Sequence, residues 1–465
     1  MAGIALANDM TLVKRLQGAT PFQNNNGTVP VGYSGPTFVL NHAWPSGALP
    51  PIVDAPWQNA IGNGRITVAN APAYAAALKA AVAANGRKLV ADHSNWDASK
   101  AGWYNEPWLG TLREPISGTY QAGEFGPGIF PGTGLEATFQ TNVLTYYDAR
   151  AAATLTKFWH RDAMQPVLAT TAAQFDEGAI IVKAALFSSE DPKRESGWWK
   201  AMDGAATWPL YISVGPQDSQ TPPPAQLWSG SVAQFDIIVK DSASSPETGW
   251  VYMTLVYDAK APGDLWDKMV PLGVQWGNDP QATVAGMALK ENWNNPAAPL
   301  YATQTLGWGG RLSGPNDGGR NNISVNGKAQ INAPNSSCMS CHSTSQWDPK
   351  THRMTSFLLP SIPTNSPPYF KLCGPNQDLI CSPAPGSAAW MKWFKNRPGT
   401  AAMDPGSFAT DFDEVFAFKS LKLWWLAVGP KDQALPMLRV QNTPGLGVRF
   451  NQYSGAPLRT NRKAN

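Results

Sequence analysis

Residues 174–187 read QFDEGAIIVKAALF, and the period of the chain changes there. Upstream, apolar residues recur at helical spacing. Here β-branched and large apolar side chains run together between turn-forming residues, which is the pattern of a strand. LYISV (210–214), AQFDIIVKDS (233–242) and GWVYMTLVYD (249–258) read the same way. The expected fold is α+β: a β-rich middle region wrapped by N- and C-terminal segments with helices and long loops. The expected division is 1–160, loop-rich and helical; 161–345, β-rich; and 346–465, a helical extension.

Outward from that middle the signals are helical or turn-like. Residues 1–70 are rich in Pro, Gly and Asn and read as extended loop with short strands. APAYAAALKAAVAANGR (71–87) predicts a helix, with Pro72 at a first position and Gly86 as its stop. KLVADHSNWD (88–97) reads as a short strand and a turn. Residues 103–136 read as loop, their glycines too interrupted by proline for a nucleotide-binding turn. The stretch from Thr141 to Ala163 has apolar residues at helical spacing. A short helical piece is expected around Thr283–Asn294. SAAWMKWFKNR (387–397) predicts a helix ending before Pro398. DFDEVFAFKSLKLWWLAVG (411–429) predicts another, with Asp411 and Glu414 in capping-box spacing and Gly429 at its end. No repeat at solenoid period is visible.

Composition excludes several classes. Hydrophobic residues make up 43% and charged residues only 15%, while Gly (42), Pro (41) and Trp (20) are plentiful. That mix predicts long ordered loops packed by aromatic rings. A net charge of +3 gives no basis for nucleic-acid binding. The basic tail RTNRKAN (459–465) reads as a frayed terminus. No apolar run is long enough to span a bilayer. No GxSxG, HExxH, Walker loop or EF-hand spacing occurs, so hydrolase and kinase readings have no support.

One local motif carries specific chemistry. Cys338, Cys341 and His342 form CMSCH, the CxxCH attachment signature of c-type haem. Two thiols three positions apart can each add to one vinyl group of the same porphyrin, and the adjacent imidazole can turn onto the iron. The competing readings are a redox CxxC pair, which wants a strand before it and a helix after it, or half of a zinc site. NAPNSS (332–337) precedes the motif and places it on a loop. Haem attachment implies a periplasmic or extracellular location, so the numbering is expected to begin near a mature start after removal of a leader. In that compartment Cys373 and Cys381, at the ends of CGPNQDLIC, are expected to pair, the alternative being two free thiols.

The order FDEGAIIVK, FDIIVKDSASSPETGWVYM, SSCMSCH resembles the blocks of the cytochrome P-460 and cytochrome c′-beta family, small β-rich haem c proteins. Gly178 and Lys183 match the first block, Lys240, Asp241 and Ser242 the second, and Gly249 and Trp250 the third. The resemblance covers residues 174–345. It implies a β-sheet cradle, His342 as proximal ligand and an open sixth iron position. In the P-460 branch it also implies a lysine cross-linked to the porphyrin, here Lys183, and hydroxylamine oxidation. The chain departs from the family by running on well past the motif and by the long interval between Trp250 and Cys338. The family's distal acid has no matching position. The plain reading of Lys183 is a solvated side chain on an amphipathic strand.

The other face of the iron decides the function: a protein ligand makes an electron carrier, and an open position makes a sensor, gas binder or catalyst. Met403, in GTAAMDPG (399–406), is the foremost methionine candidate; Met354, Met391 and Met437 are the others. His352, His93, His160 and His42 read as structural or exposed unless one is distal. Arg311 and Arg320, just before the motif, could hold the haem propionates or lie exposed. The sequence therefore predicts one covalently bound haem c and, as the leading function, a periplasmic mono-haem c-type cytochrome that exchanges electrons with a redox partner protein. The second reading is a P-460-like enzyme or small-ligand binder with an open iron acting on hydroxylamine or NO. A third is a binding subunit in which haem is only a structural staple.

Overall fold

A computed structural model of the protein describes residues 27–47, 49, 54–108, 113–160, 165–214, 224–352, 358–364 and 370–430. Nine strands form the main sheet: β1 (Tyr104–Asn105), β2 (Tyr120–Phe125), β3 (Phe139–Tyr147), β4 (Ile180–Ser189), β5 (Thr207–Ser213), β6 (Ala225–Lys240), β7 (Trp250–Tyr257), β8 (Met269–Gln275) and β9 (Asn292–Asn294). The order is β1-β3-β4-β6-β7-β8-β9, with β2 also on β3 and β5 also on β6. Every pairing in this sheet is antiparallel. The four strands read from the sequence are β4 to β7.

Register aligns side chains from four strands into rows. Tyr147, Ile181, Ile238 and Tyr252 lie opposite one another along the hydrogen-bonding direction, and so do Thr145, Lys183, Asp236 and Thr254. The rows are two residues apart on each strand, so they share one face of the sheet.

Helix Ala71–Ala91 covers the opposite face, where Phe235 meets Trp266 edge-on. Its buried stripe, Ala71, Tyr74, Ala75, Leu78, Val82, Gly86, Leu89 and Val90, follows helical spacing. Gly86 is not the stop that its type suggested. A Cβ there would fall on the Trp266 ring, so glycine is needed for close approach, and the helix continues through residues read as a strand.

Tertiary burial overrides the helical pattern from Thr141. All nine residues of β3 are buried, and the helix starts only at Ala149, after Asp148 caps it by accepting from the Ala151 amide at 2.7 Å. The piece around Thr283–Asn294 is irregular and ends in β9. The helix read at 387–397 shrinks to one turn, Trp390–Lys392. At the C-terminal side a π-helical stretch, Val415–Leu421, leads into helix Lys422–Val428, and Gly429 follows it.

A second sheet has the order β11-β10-β14-β13, from β10 (Arg320–Val325), β11 (Lys328–Pro334), β13 (Leu372–Cys373) and β14 (Leu379–Ser382). Cys373 and Cys381 are disulfide-bonded across the β13–β14 turn, with Cα atoms 5.3 Å apart. Closing so short a loop contributes about 2–3 kcal/mol. A short pair, β12 (Gln346–Trp347) with β15 (Phe408–Ala409), ties the chain after the CMSCH motif to the C-terminal region. The fold is thus mixed and sheet-rich, with several antiparallel pairings. The largest core cluster runs from Phe38 to Trp424 and draws on residues of all three expected segments. Among the described residues no helix is long and apolar enough to cross a membrane.

Candidate functional site

The two aligned rows of the main sheet form the floor of a cavity of about 200 Å³. That is more than ten times the ~10–15 Å³ that holds one water. The facing wall is made by Cys338–His342, the loop at Asn316–Gly318, Leu358, Leu359 and the segment Asp411–Val415. Cys338, Cys341, His342 and Lys183 all line this space.

The motif is not on a loop. Cys338–His342 is one helical turn, and a reciprocal capping box holds it: the Ser340 amide donates to Ser337 Oγ and the Ser337 amide to Ser340 Oγ. Gln275 at the end of β8 fixes the turn to the sheet, accepting from the Met339 amide at 3.0 Å and donating to Ser337 Oγ. Met339 is fully buried beneath it.

The three chemical groups of the motif have distinct partners. His342 Nδ1 lies 2.8 Å from the carbonyl oxygen of Phe412. A carbonyl can only accept, so Nδ1 carries a proton, and in the neutral ring the lone pair is on Nε2. Among the described residues nothing hydrogen-bonds Nε2. The imidazole packs against the Tyr252 ring at 4.8 Å. Cys338 Sγ donates to Asp317 Oδ2 at 3.5 Å, and Cys341 Sγ to Glu414 Oε1 at 3.3 Å. Neither thiol is in a disulfide. Burial, then the adjacent carboxylates, push both thiols well above their ordinary pKa. A redox CxxC needs the reverse, a stabilised thiolate. The strand that such a motif wants does precede the turn, as β11, so the chemistry of the thiols and not their setting argues against it. Among the described residues no cluster of three or more His, Cys, Asp or Glu side chains could hold a bare metal ion.

Lys183 is not a solvated strand residue. Its Nζ lies 2.6 Å from Asp236 and 2.9 Å from Asp317, and its side chain is 21% exposed. Gln234 donates to both carboxylates and accepts from the Asn316 amide. Burial opposes the charge on Lys183, but the two carboxylates hold its pKa well above the ordinary lysine range. Burial and the neighbouring Asp317 push Asp236 up. Gly314 lets the 314–317 loop approach, because a Cβ there would collide with Gln234. Elsewhere on the wall, Tyr147 donates to Asp413 at 2.7 Å, and burial lifts Asp413 to about 6.

Other candidates lie away from this space. Met403 packs with Trp390, Trp393 and Phe394 in a second core cluster and does not line the cavity; Met391 is in the same cluster. Arg311 is fully buried, donating to the carbonyls of Asn278, Trp308, Asp279 and Ala282 and stacking on Trp308. Arg320 is half-buried on β10 and reaches Leu306 O. Neither arginine lines the cavity. His42 lies against Arg113, and His352 stacks on Trp425. Neither they nor His93 and His160 line the cavity. Met354, Met437 and the basic tail lie outside the described residues.

The sequence reading missed Asp317, Glu414, the Phe412 carbonyl and Asp236. It took Asp411 and Glu414 for a helix cap. The structure instead gives Asp411 to Lys240 and Trp250, and Glu414 to Cys341. Glu124, a buried carboxylate on β2, also lines the cavity. No family model, curated protein or solved structure matches the chain.

Proposed function

We propose that the protein is a periplasmic mono-haem c-type cytochrome with a redox role, holding one haem c through Cys338 and Cys341 with His342 Nε2 as axial ligand. One observation carries this reading. Both thiols and the imidazole open on a single cavity, and the Phe412 carbonyl occupies Nδ1, which leaves Nε2 to act as a ligand. Phe125, Val143, Ile181, Ile238, Leu358 and Leu359 give the space an apolar part that suits the face of a macrocycle, beside the charged groups Lys183, Asp236, Asp317 and Glu414. When bound, haem supplies a one-electron couple and, on an open face, a position for small ligands. Tyr252 packs the imidazole from the sheet side, and the Lys183–Asp236–Asp317 group holds buried charge at the edge nearest Cys338.

A specific observation favours the second reading, an open iron position for small nitrogen species such as hydroxylamine or NO. Met403 is buried in another core, and among the described residues no histidine other than His342 lines the cavity. Lys183, the position that the P-460 resemblance marks for a porphyrin cross-link, does line it. The visible spectrum and intact mass of protein matured in a periplasm test the assignment. A haem c spectrum, a mass of chain plus one haem, and loss of both in the Cys338→Ser/Cys341→Ser variant are expected. Colourless protein, or haem that extracts freely into acidified solvent, overturns it. A spectral response of the reduced protein to CO separates the open position from a filled one.

A further inference from the structure

Asp411 is fully buried, and its carboxylate accepts four hydrogen bonds. Lys240 Nζ reaches its two oxygens at 2.7 and 2.9 Å, Trp250 Nε1 donates at 2.7 Å, and the Phe175 amide donates at 2.8 Å. Gly399 presses so close that a Cβ would fall on the carboxylate. Such a clamp is far more than a helix start needs, and no regular helix starts at Asp411.

What the clamp holds is strained backbone. Asp411 has φ 47° and Phe412 φ 67°, two successive non-glycine residues in the left-handed region. Each costs on the order of 1–3 kcal/mol and persists only where its surroundings over-determine it. The carbonyl of this strained pair, that of Phe412, lies 2.8 Å from His342 Nδ1.

The blocks read from the sequence as Gly178, Lys240–Asp241–Ser242 and Gly249–Trp250 converge on this clamp. The Gly178 amide donates to Lys240 O, and the Lys240 amide to Ala179 O. The Asp241 amide donates to Gly249 O, and Tyr74 and Gln58 hold the Asp241 carboxylate. Gly249 has φ 78°, and a Cβ there would sit 3.3 Å from Lys240 Nζ. The whole end of the β6–β7 pair is shaped to aim one ammonium and one indole N–H at Asp411.

We propose that Lys240, Asp411 and Trp250 are positioning residues for the axial imidazole: the clamp holds the Phe412 carbonyl on Nδ1–H and so sets the orientation and donor strength of Nε2. The proposal rests on the haem c reading. A fixed acceptor on Nδ1–H makes the imidazole a stronger donor to the oxidised iron, so loosening the clamp raises the midpoint potential.

The test uses the full, haem-loaded chain and two readouts: the midpoint potential and the ring N–H proton resonance of His342. Lys240→Met raises the potential and shifts or broadens the ring signal, while Lys240→Arg restores both towards wild type. Trp250→Phe, which removes one donor and keeps an aromatic ring, gives a smaller rise in the same direction. Folded, haem-loaded Lys240→Met with unchanged potential and ring signal overturns the proposal. Should Lys240→Met fail to accumulate, an unchanged potential in Trp250→Phe overturns it equally. Wild-type protein without covalent haem instead sinks the reading beneath it, and that is visible before any variant is made.

Discussion

Two regions of the molecule bury charge among aromatic rings, and they do so differently. In the second core, Arg311 lies between Trp308 and Phe394 and gives its donors to four backbone carbonyls. In the cavity, Lys183 and Asp236 on the floor and Asp317 on the facing wall satisfy one another around open space. A buried charge whose partners are main-chain atoms is part of the scaffold. A buried charge whose partners are other ionisable side chains facing a cavity can respond to what enters. The sequence left both open: Arg311 to the propionates or to solvent, and Lys183 to a porphyrin cross-link or to solvent.

Mutation can break this contrast, and the largest effect belongs to the scaffold. Arg311→Leu strands four buried carbonyls and is expected to cost more than about 3 kcal/mol in denaturant unfolding, with an unaltered haem spectrum in whatever folds. A spectral change on that substitution would erase the distinction. Next is Asp413, lifted to about 6 by burial. Its folded pKa lies above its unfolded value, so the native state binds the proton more tightly and loses that stability as pH rises through about 6. Asp413→Asn is expected to match wild type below pH ~4 and to exceed it by up to about 3 kcal/mol above pH ~7. Parallel stability–pH curves would refute this.

Asp236→Asn leaves Lys183 one carboxylate and is expected to cost about 1–3 kcal/mol. Unlike Arg311→Leu, it should also move the Soret band or the potential, because the group faces the cavity; stability loss with neither would return Lys183 to the scaffold. The smallest effect is expected from Met403→Leu, a near volume-conserving change in the second core, under about 1.5 kcal/mol. Its spectrum should be that of wild type, and loss of a six-coordinate signature would restore Met403 as a ligand.

What the sequence made legible follows from how local each signal is. CMSCH is legible because its three groups lie within one turn, and β4 to β7 because they are runs of strand-forming side chains. β3 was hidden because its apolar residues run straight into those of the helix behind Asp148, so one window spans two elements. Gly86 misled because a stop and a close approach call for the same residue. Asp317, Glu414 and the Phe412 carbonyl were out of reach because nothing near them in the chain mentions a thiol or an imidazole. Their roles exist only after distant segments meet.

That distance has a consequence for assembly. Tyr147 and Asp413 meet across 266 residues, and Phe175 and Asp411 across 236. Contacts of such span close long loops and carry a large closure entropy. A chain ending before residue 408 would lack the Asp411–Val415 part of the cavity's facing wall, and with it the Phe412 carbonyl, leaving the imidazole only its packing on Tyr252.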